Sequence, residues 1–198
     1  LSTLPNFVVM AASDEAELVR MINTSTEIND RPCAFRYPRG TGFGTILPSI
    51  NEKIEIGKSK IIQEGKKLAI LNFGARLNET LKAADNLKKK GIIITVVDAR
   101  FAKPLDESLI WQLAVNHEAI LTIEEGSIGG FGSHVVDFLS KKGLMDTNLK
   151  FRSMTLPDIF IDQDTPDNMY KTANLDSSSI EEKVLDVLNS NIVLQKQK

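Results

Sequence analysis

The chain has 198 residues, of which 42% are hydrophobic and 25% charged, and its formal net charge is -2. These values are ordinary for a folded globular protein, and the length suits one large domain or one domain with a piece of another. Lysine and arginine are scattered along the chain, so the sequence carries no basic footprint for nucleic acid or an anionic membrane surface. We therefore expect small-molecule or protein partners, with no nucleic acid and no membrane.

Cys33 is the single cysteine, so neither an intrachain disulfide nor a cysteine metal cluster can form. This favours a reducing compartment and a cytoplasmic location. No apolar run approaches the roughly 18 to 20 residues of a membrane span, and the N-terminus lacks the layout of a signal peptide. The chain starts at Leu1 inside sequence that has the pattern of a folded domain, so we expect further sequence upstream.

The first 45 residues have the pattern strand, helix, strand and loop. Residues 7–11 are apolar, Ser13 and the acids after it mark a helix start, and residues 32–37 are again strand-like before Pro38. The apolar positions expected to face the core from this helix are Leu18, Met21 and Ile22. Such a unit buries too little surface to be stable by itself. We predict that residues 1–45 are the tail of another domain and that residues 46–60 are a linker with an entering edge strand.

From residue 61 to residue 198, apolar strands alternate with amphipathic helices. The predicted strands are 68–73, 92–97, 119–123 and 151–156. The predicted helices are 77–90, 105–115, 132–142 and a last helix that begins with a capping box of Ser179 and Glu182. Continuous apolar strands separated by helices indicate an α/β fold, an open and mostly parallel sheet with helices on both faces. We expect residues 191–198 to fray.

Ligands of open parallel sheets gather beyond the carboxyl ends of the strands. The polar and glycine residues expected there are Asn72, Gly74, Asp98, Arg100, Glu124, Glu125 and Gly126. Glu124 and Glu125 could form an acid/base pair, but adjacent residues leaving a strand point to opposite faces. We therefore expect these two carboxylates to cap helices or to pair with Arg100.

The turn from Gly126 to Ser133 lies between a strand and a helix, where backbone N–H groups can hold a phosphate. It lacks the GxGxxG pattern and follows two acids, so tight turning and packing against a neighbouring subunit are the favoured roles of its glycines. His117 and His134 have no metal ligands at suitable spacing, and a structural or surface role is expected for both. No serine or cysteine has the surroundings of a catalytic nucleophile.

The segment from Phe35 to Gly40 places two arginines beside an aromatic ring at the end of a strand. Arginine binds phosphate through a planar fork of N–H donors. The segment is therefore a candidate phosphate site, with a salt bridge or a surface cation as the open alternative.

Four stretches of the chain form a distinctive set, namely Arg36-Tyr-Pro-Arg-Gly40, Lys67-Leu-Ala-Ile-Leu-Asn-Phe-Gly74, Asp98-Ala-Arg-Phe-Ala-Lys-Pro-Leu-Asp106 and Leu156-Pro-Asp-Ile-Phe-Ile161. Together they resemble the 1-deoxy-D-xylulose-5-phosphate synthase family. Their order and spacing also fit, the likeness runs from Pro5 to Asn189, and the last stretch separates this family from its relatives.

The resemblance implies a transketolase-type transferase that uses thiamine diphosphate and Mg²⁺. It joins pyruvate, after loss of carbon dioxide, to glyceraldehyde 3-phosphate, and the product feeds isoprenoid, thiamine and pyridoxal synthesis. By the same resemblance, residues 1–45 end the pyrimidine-binding middle domain and residues 61–198 form the transketolase C-terminal-like domain. Homodimers through this C-terminal domain are implied as well, with the turn at 126–133 as a candidate part of the interface.

For the site residues, the resemblance implies that Arg39 contacts the phosphate of glyceraldehyde 3-phosphate, with Arg36 and Tyr37 as secondary candidates. The metal motif and the glutamate that activates the cofactor have no counterpart here. No catalytic, cofactor-binding or metal-binding residue is therefore assigned to this chain, and we expect that alone it neither binds thiamine diphosphate tightly nor forms product.

Two alternatives stay open. One is the beta-type subunit of a 2-oxoacid dehydrogenase, which the stretch from Asp98 to Asp106 alone would also suit, or a transketolase C-terminal half encoded separately. The other alternative is a non-catalytic dimerisation module.

Overall fold

The structure is a computed structural model that describes residues 1–189. Its strands are β1 (Val8–Ala11), β2 (Cys33–Arg36), β3 (Lys60–Gln63), β4 (Leu68–Phe73), β5 (Thr95–Asp98), β6 (Phe101–Lys103), β7 (Ala119–Glu124) and β8 (Lys150–Met154). Its helices are α1 (Glu15–Ser25), α2 (Leu77–Lys89), α3 (Glu107–Asn116), α4 (Phe131–Lys141), α5 (Pro166–Thr172) and α6 (Ser177–Asn189). Residues 191–198, which were expected to fray, lie outside the described residues.

The larger sheet has five strands in the order β3-β5-β4-β7-β8. β4 pairs in parallel with β5 and β7, and β7 pairs in parallel with β8, whereas the edge strand β3 is antiparallel to β5. Every residue of β7 and the first five of β4 are buried, as expected for strands covered on both faces. The predicted α/β fold with a mostly parallel sheet is confirmed.

Two apolar clusters cover the two faces of this sheet. Because side chains alternate along a strand, Leu68 and Ile70 of β4 join the cluster built with α2 and α6. Ala69 and Leu71 point the other way and join the cluster built with α3 and α4. The helices therefore lie on both faces, and the carboxyl ends of the parallel strands are left for polar residues.

The smaller sheet has three strands in the order β2-β1-β6. β1 is parallel to β2 and antiparallel to β6, which comes from the chain beyond residue 61. Its apolar cluster includes Met10 and Met21 and is completed by Ile54 and Phe101. The N-terminal segment thus takes a strand and part of its core from later parts of the chain, in agreement with its small size.

Several helix details differ from the expectation. Ile22, expected in the buried stripe of α1, is 42% exposed, whereas Met21 is fully buried. The capping box of Ser179 and Glu182 is wrong, because α6 already begins at Ser177 and Asp176 accepts a hydrogen bond from the Ser179 N–H group. A carboxylate before the helix replaces the predicted serine cap. The short helix α5 had no predicted counterpart.

The observed strand boundaries also differ from the predicted ones. β5 begins at Thr95 and not at residue 92, and Ile93 before it is 48% exposed. The predicted edge strand exists as β3 but occupies residues 60–63, and residues 45–59 contain neither strand nor helix. β6 was not predicted, because its three residues give too short an apolar pattern.

Candidate functional site

The candidate phosphate site lies where the chain leaves β2. Tyr37 is 58% exposed, and its ring stacks against Phe35 with 6.4 Å between centroids. Arg39 is exposed and forms no hydrogen bond or ion pair with any residue in the range 1–189. A Cβ atom at Gly40 would meet nothing within 4 Å. The Arg39 guanidinium is therefore free to bind an anion from solvent.

Arg36, three residues earlier, pairs with a buried carboxylate of the protein. Its Nη1 atom lies 2.7 Å from Oε2 of Glu125, which follows β7. The Glu125 side chain is only 2% exposed, and its Oε1 atom lies 2.8 Å from Nε of Arg76. One buried carboxylate is thus shared by two guanidinium groups, which offset its loss of hydration.

A tyrosine completes this cluster. The guanidinium carbon of Arg76 lies 3.4 Å from the centroid of the Tyr170 ring, a cation–π contact between the start of α2 and helix α5. Burial raises the pKa of the Tyr170 hydroxyl, and the neighbouring Glu125 carboxylate acts in the same direction. We call Arg36, Arg76, Glu125 and Tyr170 the Glu125 cluster.

Glu124 points elsewhere and stabilises the start of α4. Its two carboxylate oxygens accept hydrogen bonds from the N–H groups of Phe131 and Gly132, at 3.0 and 2.8 Å. Such an anion at a helix N-terminus is favoured by the free N–H groups and by the helix dipole. The expectation that Glu124 caps a helix is confirmed.

The glycines of the turn at 126–133 make room for that carboxylate. A Cβ atom at Gly126 or Gly130 would collide with Oε2 of Glu124, and one at Gly132 would lie 2.7 Å from Oγ1 of Thr122. The close approach that requires glycine here is thus to the chain's own side chains. Packing of this turn against a neighbouring subunit stays a prediction.

A second polar cluster joins the N-terminal segment to the larger sheet. Arg100, expected to pair with Glu124 or Glu125, instead binds both oxygens of Glu17 in α1, at 2.8 and 2.9 Å. The expected pairing was wrong because β6 turns away from β7 and joins β1. The Ser13 hydroxyl donates to Oδ2 of Asp98 at 2.6 Å. Burial raises the pKa of Asp98 to about 7.

The loop after Arg39 is folded around Glu15, the first residue of α1. The Glu15 carboxylate accepts hydrogen bonds from the N–H groups of Phe43, Gly44 and Thr45, at 3.1, 2.5 and 2.9 Å. Its own N–H group, together with these three, holds the pKa of Glu15 below its ordinary value, against the opposing effect of desolvation. A carboxylate with three backbone donors is a firm anchor for an irregular loop.

A family model decides which proteins this chain is related to. The model described as "Transketolase, C-terminal domain" matches residues 57–180, which include all strands from β3 to β8. The chain belongs to the transketolase C-terminal domain family.

Among solved structures, this member of the transketolase C-terminal domain family is similar to a protein described as "Split gene transketolase, inactive beta4 tetramer". The two chains superpose with a TM-score of 0.80 at 27% sequence identity. The match covers 94% of this chain but 59% of that chain. The likeness extends into the N-terminal segment, beyond the residues that the family model matches.

Transketolase-family enzymes generally use thiamine diphosphate with a divalent metal ion. Among residues 1–189, no group of three or more His, Cys, Asp or Glu side chains is placed to hold a metal. The described residues therefore do not fit the metal of such a cofactor.

No helix in the range 1–189 is long and apolar enough to cross a bilayer.

The two histidines have structural surroundings. His117 lies between α3 and β7, where its Nε2 atom is 2.8 Å from the Thr95 hydroxyl and its Nδ1 atom is 3.0 Å from the Leu113 carbonyl oxygen. His134 is half-buried in the first turn of α4. The expectation of a structural role for His117 is confirmed.

Sequence reasoning missed three residues of the candidate site, namely Glu15, Arg76 and Tyr170. Glu15 looked like an ordinary acid in the first turn of a helix, and its loop partners lie about 30 residues away. Arg76 follows Gly74 at the end of β4, a position where a polar residue could have been included. Nothing in the sequence around Tyr170 pointed to the site.

Proposed function

We propose that this chain is the C-terminal portion of a 1-deoxy-D-xylulose-5-phosphate synthase, with Arg39 as a ligand of the acceptor's phosphate. Membership of the transketolase C-terminal domain family supports the broader class of thiamine-diphosphate-dependent transferases. The observation that carries the narrower proposal is the exposed guanidinium of Arg39, which lies just beyond a parallel strand and has no partner within residues 1–189. Glyceraldehyde 3-phosphate offers the dianionic group that such a fork of donors binds.

The role of this chain in that reaction is to bind and orient the acceptor. Thiamine diphosphate, held by segments outside the described residues, would supply the carbanion stabilisation that this class of transfer requires. The described residues contain no metal cage, so we assign the diphosphate and Mg²⁺ anchors to other segments of the enzyme. Arg39 fixes the phosphate, which lowers the entropic cost of bringing the acceptor aldehyde to the reacting carbon.

The test is Arg39→Ala in the complete enzyme that contains this chain, with each substrate varied separately. A charge-assisted contact contributes about 1.5 to 3 kcal/mol, so kcat/KM for glyceraldehyde 3-phosphate should fall by about ten- to a hundredfold or somewhat more. The KM for pyruvate should barely change. Arg39→Lys should recover only part of the loss, because lysine lacks the bidentate fork.

Arg31→Ala is the matched control, since Arg31 is also exposed in the N-terminal segment but pairs with its neighbour Asp30. It should leave kcat/KM for both substrates unchanged. Equal damage to both substrates by Arg39→Ala would assign Arg39 a structural role and would contradict the proposal.

A second candidate is a separately encoded transketolase-like subunit. It is favoured by the structural neighbour, whose description names a split-gene transketolase and an inactive beta4 tetramer.

Homodimers of the present chain through its C-terminal domain are proposed under either candidate. Light scattering at several concentrations should give twice the chain mass, and calorimetry with thiamine diphosphate and Mg²⁺ should detect no micromolar binding. A persistent monomer or tight cofactor binding would contradict these two expectations respectively.

A further inference from the structure

Arg39 lies in the segment from Arg36, the last residue of β2, to Thr45, which we call the Arg39 loop. Residues 37–45 contain no helix or strand, and the Arg39 side chain has no partner among residues 1–189. A guanidinium on an unrestrained loop would lose much conformational freedom on binding an anion, which weakens binding. A useful phosphate ligand therefore needs its backbone to be held from both ends of the loop.

The C-terminal end of the Arg39 loop is held by Glu15. Three consecutive N–H groups, from Phe43 to Thr45, converge on its carboxylate. Gly42 contributes by lacking a side chain, since a Cβ atom there would lie 2.7 Å from the carboxyl carbon of Glu15. Glu15 is the first residue of α1, so the loop is tied to a regular element.

The N-terminal end of the loop is held by Glu125. Arg36 is about half-exposed, but its guanidinium contacts a carboxylate that is almost completely buried. That carboxylate is fixed in turn by Arg76, which is itself largely buried against Tyr170. Rigid support of this kind restricts the position of the loop's first residue.

The two arginines of the Arg39 loop differ in their contacts with these carboxylates. Arg36 is engaged with Glu125, whereas neither Glu15 nor Glu125 contacts Arg39. The positive charge of Arg39 thus stays available, although two acids lie at the ends of its loop. We propose that Glu15 and Glu125 are positioning residues that hold the Arg39 loop for a phosphate ligand, and that Arg36 is part of this support and not a phosphate ligand.

This inference rests on the proposed function of Arg39. It is tested on the purified chain by Glu15→Gln and Glu125→Gln, with inorganic phosphate as the probe and pyruvate as the anion without a phosphate group. Two quantities are measured by NMR: the phosphate-dependent shift of the Arg39 Nε–Hε signal, and the hydrogen-exchange rates of the amides of Phe43, Gly44 and Thr45. Glu79→Gln is the matched control, because Glu79 also accepts a distant backbone N–H group, that of Ser177, but on helix α2.

Glu15→Gln should raise the exchange rates of the three amides at least about tenfold, since local opening then requires less free energy. Both variants should weaken phosphate binding at Arg39 by about tenfold, comparable to the loss of other supporting residues around a ligand site. Glu79→Gln should change neither quantity. Because Glu15 is only half-buried, its variant keeps the test decisive even if Glu125→Gln fails to fold.

The outcomes separate the two proposals. If Arg39→Ala removes the phosphate response but Glu15→Gln and Glu125→Gln bind phosphate like the wild type, the positioning role is overturned and the proposed function stands. If the Arg39 signal responds to neither phosphate nor pyruvate, the proposed function fails in this chain. Unchanged amide exchange in Glu15→Gln would then overturn the holding role as well, whereas faster exchange would support it.

Discussion

The two sheets of the molecule are stabilised in different ways. The five-stranded sheet buries one apolar cluster on each face, with α2 and α6 on one side and α3 and α4 on the other. The three-stranded sheet buries a single smaller cluster, which Ile54 and Phe101, from beyond the N-terminal segment, complete. The smaller sheet has a smaller apolar cluster, and polar contacts with buried partners also link it to the larger sheet.

Three side-chain contacts join the N-terminal segment to residues at or just beyond the carboxyl ends of β5 and β7. They are Ser13 with Asp98, Glu17 with Arg100, and Arg36 with Glu125. Hydrophobic burial is insensitive to pH, but hydrogen bonds and ion pairs in a buried environment depend on protonation and on every partner being present. This difference predicts that changes in charge should destabilise the packing of the N-terminal segment. Changes in side-chain volume should instead destabilise the five-stranded sheet.

The largest expected effect is the loss of an apolar side chain from the larger sheet. Leu71 in β4 is fully buried in the cluster with α3 and α4, so Leu71→Ala should lower the free energy of unfolding by about 2 to 5 kcal/mol. Denaturant unfolding measures this loss. Ile93→Ala is the control, because Ile93 is 48% exposed and should have a much smaller effect. Similar losses in the two variants would contradict the assigned core.

The next effect concerns Asp98 and pH. Its pKa is raised by burial from 3.8 to about 7, so between these values the folded state binds a proton that the unfolded state has released. Stability should therefore fall as pH rises, by up to about 1.4 kcal/mol per pH unit between pH 5 and pH 7. Thermal unfolding at several pH values measures the slope.

Asp98→Asn sharpens this test, because an amide imitates the protonated acid. Its oxygen can accept from the N–H group of Arg100, as Oδ1 does at 3.1 Å, and its nitrogen can donate to the Ser13 hydroxyl. The variant should lose the pH-dependent fall and should be more stable than the wild type at pH 8. A wild-type protein whose stability is flat between pH 5 and pH 7 would refute the raised pKa.

The smallest effect is expected from Arg100→Met, which keeps the side-chain stem but removes the charge. Glu17 is only 5% exposed and would keep Arg20 as a partner, so the loss should be about 1 to 2 kcal/mol. Hydrogen exchange should become faster at the β1 amides and stay unchanged in β4. As a control, Lys141→Met breaks the exposed pair with Asp137 and should have little effect. Uniformly faster exchange in both sheets would contradict a local polar junction.

The elements predicted well from the sequence are those with long periodic patterns. β4 was predicted with its observed limits, and α4 differs from its prediction by one residue at each end, because apolar periodicity over six or more residues is a strong signal. The short strand β6 and the helix α5 carry no comparable pattern. Their positions depend on partners far away in the chain, β1 in one case and the Glu125 cluster in the other.

The sequence by itself determined the layered α/β architecture and the broader class of transketolase-type proteins, because periodicity and local motifs act over a few residues. Only the tertiary structure decided which charges meet. Glu125 selects Arg36 and Arg76, separated from it by 89 and 49 residues of chain, and Arg100 selects Glu17 across 83 residues. Ion pairs leave no periodic pattern in the sequence. The partner of each buried charge therefore depends on which strand ends lie close together in the folded sheets.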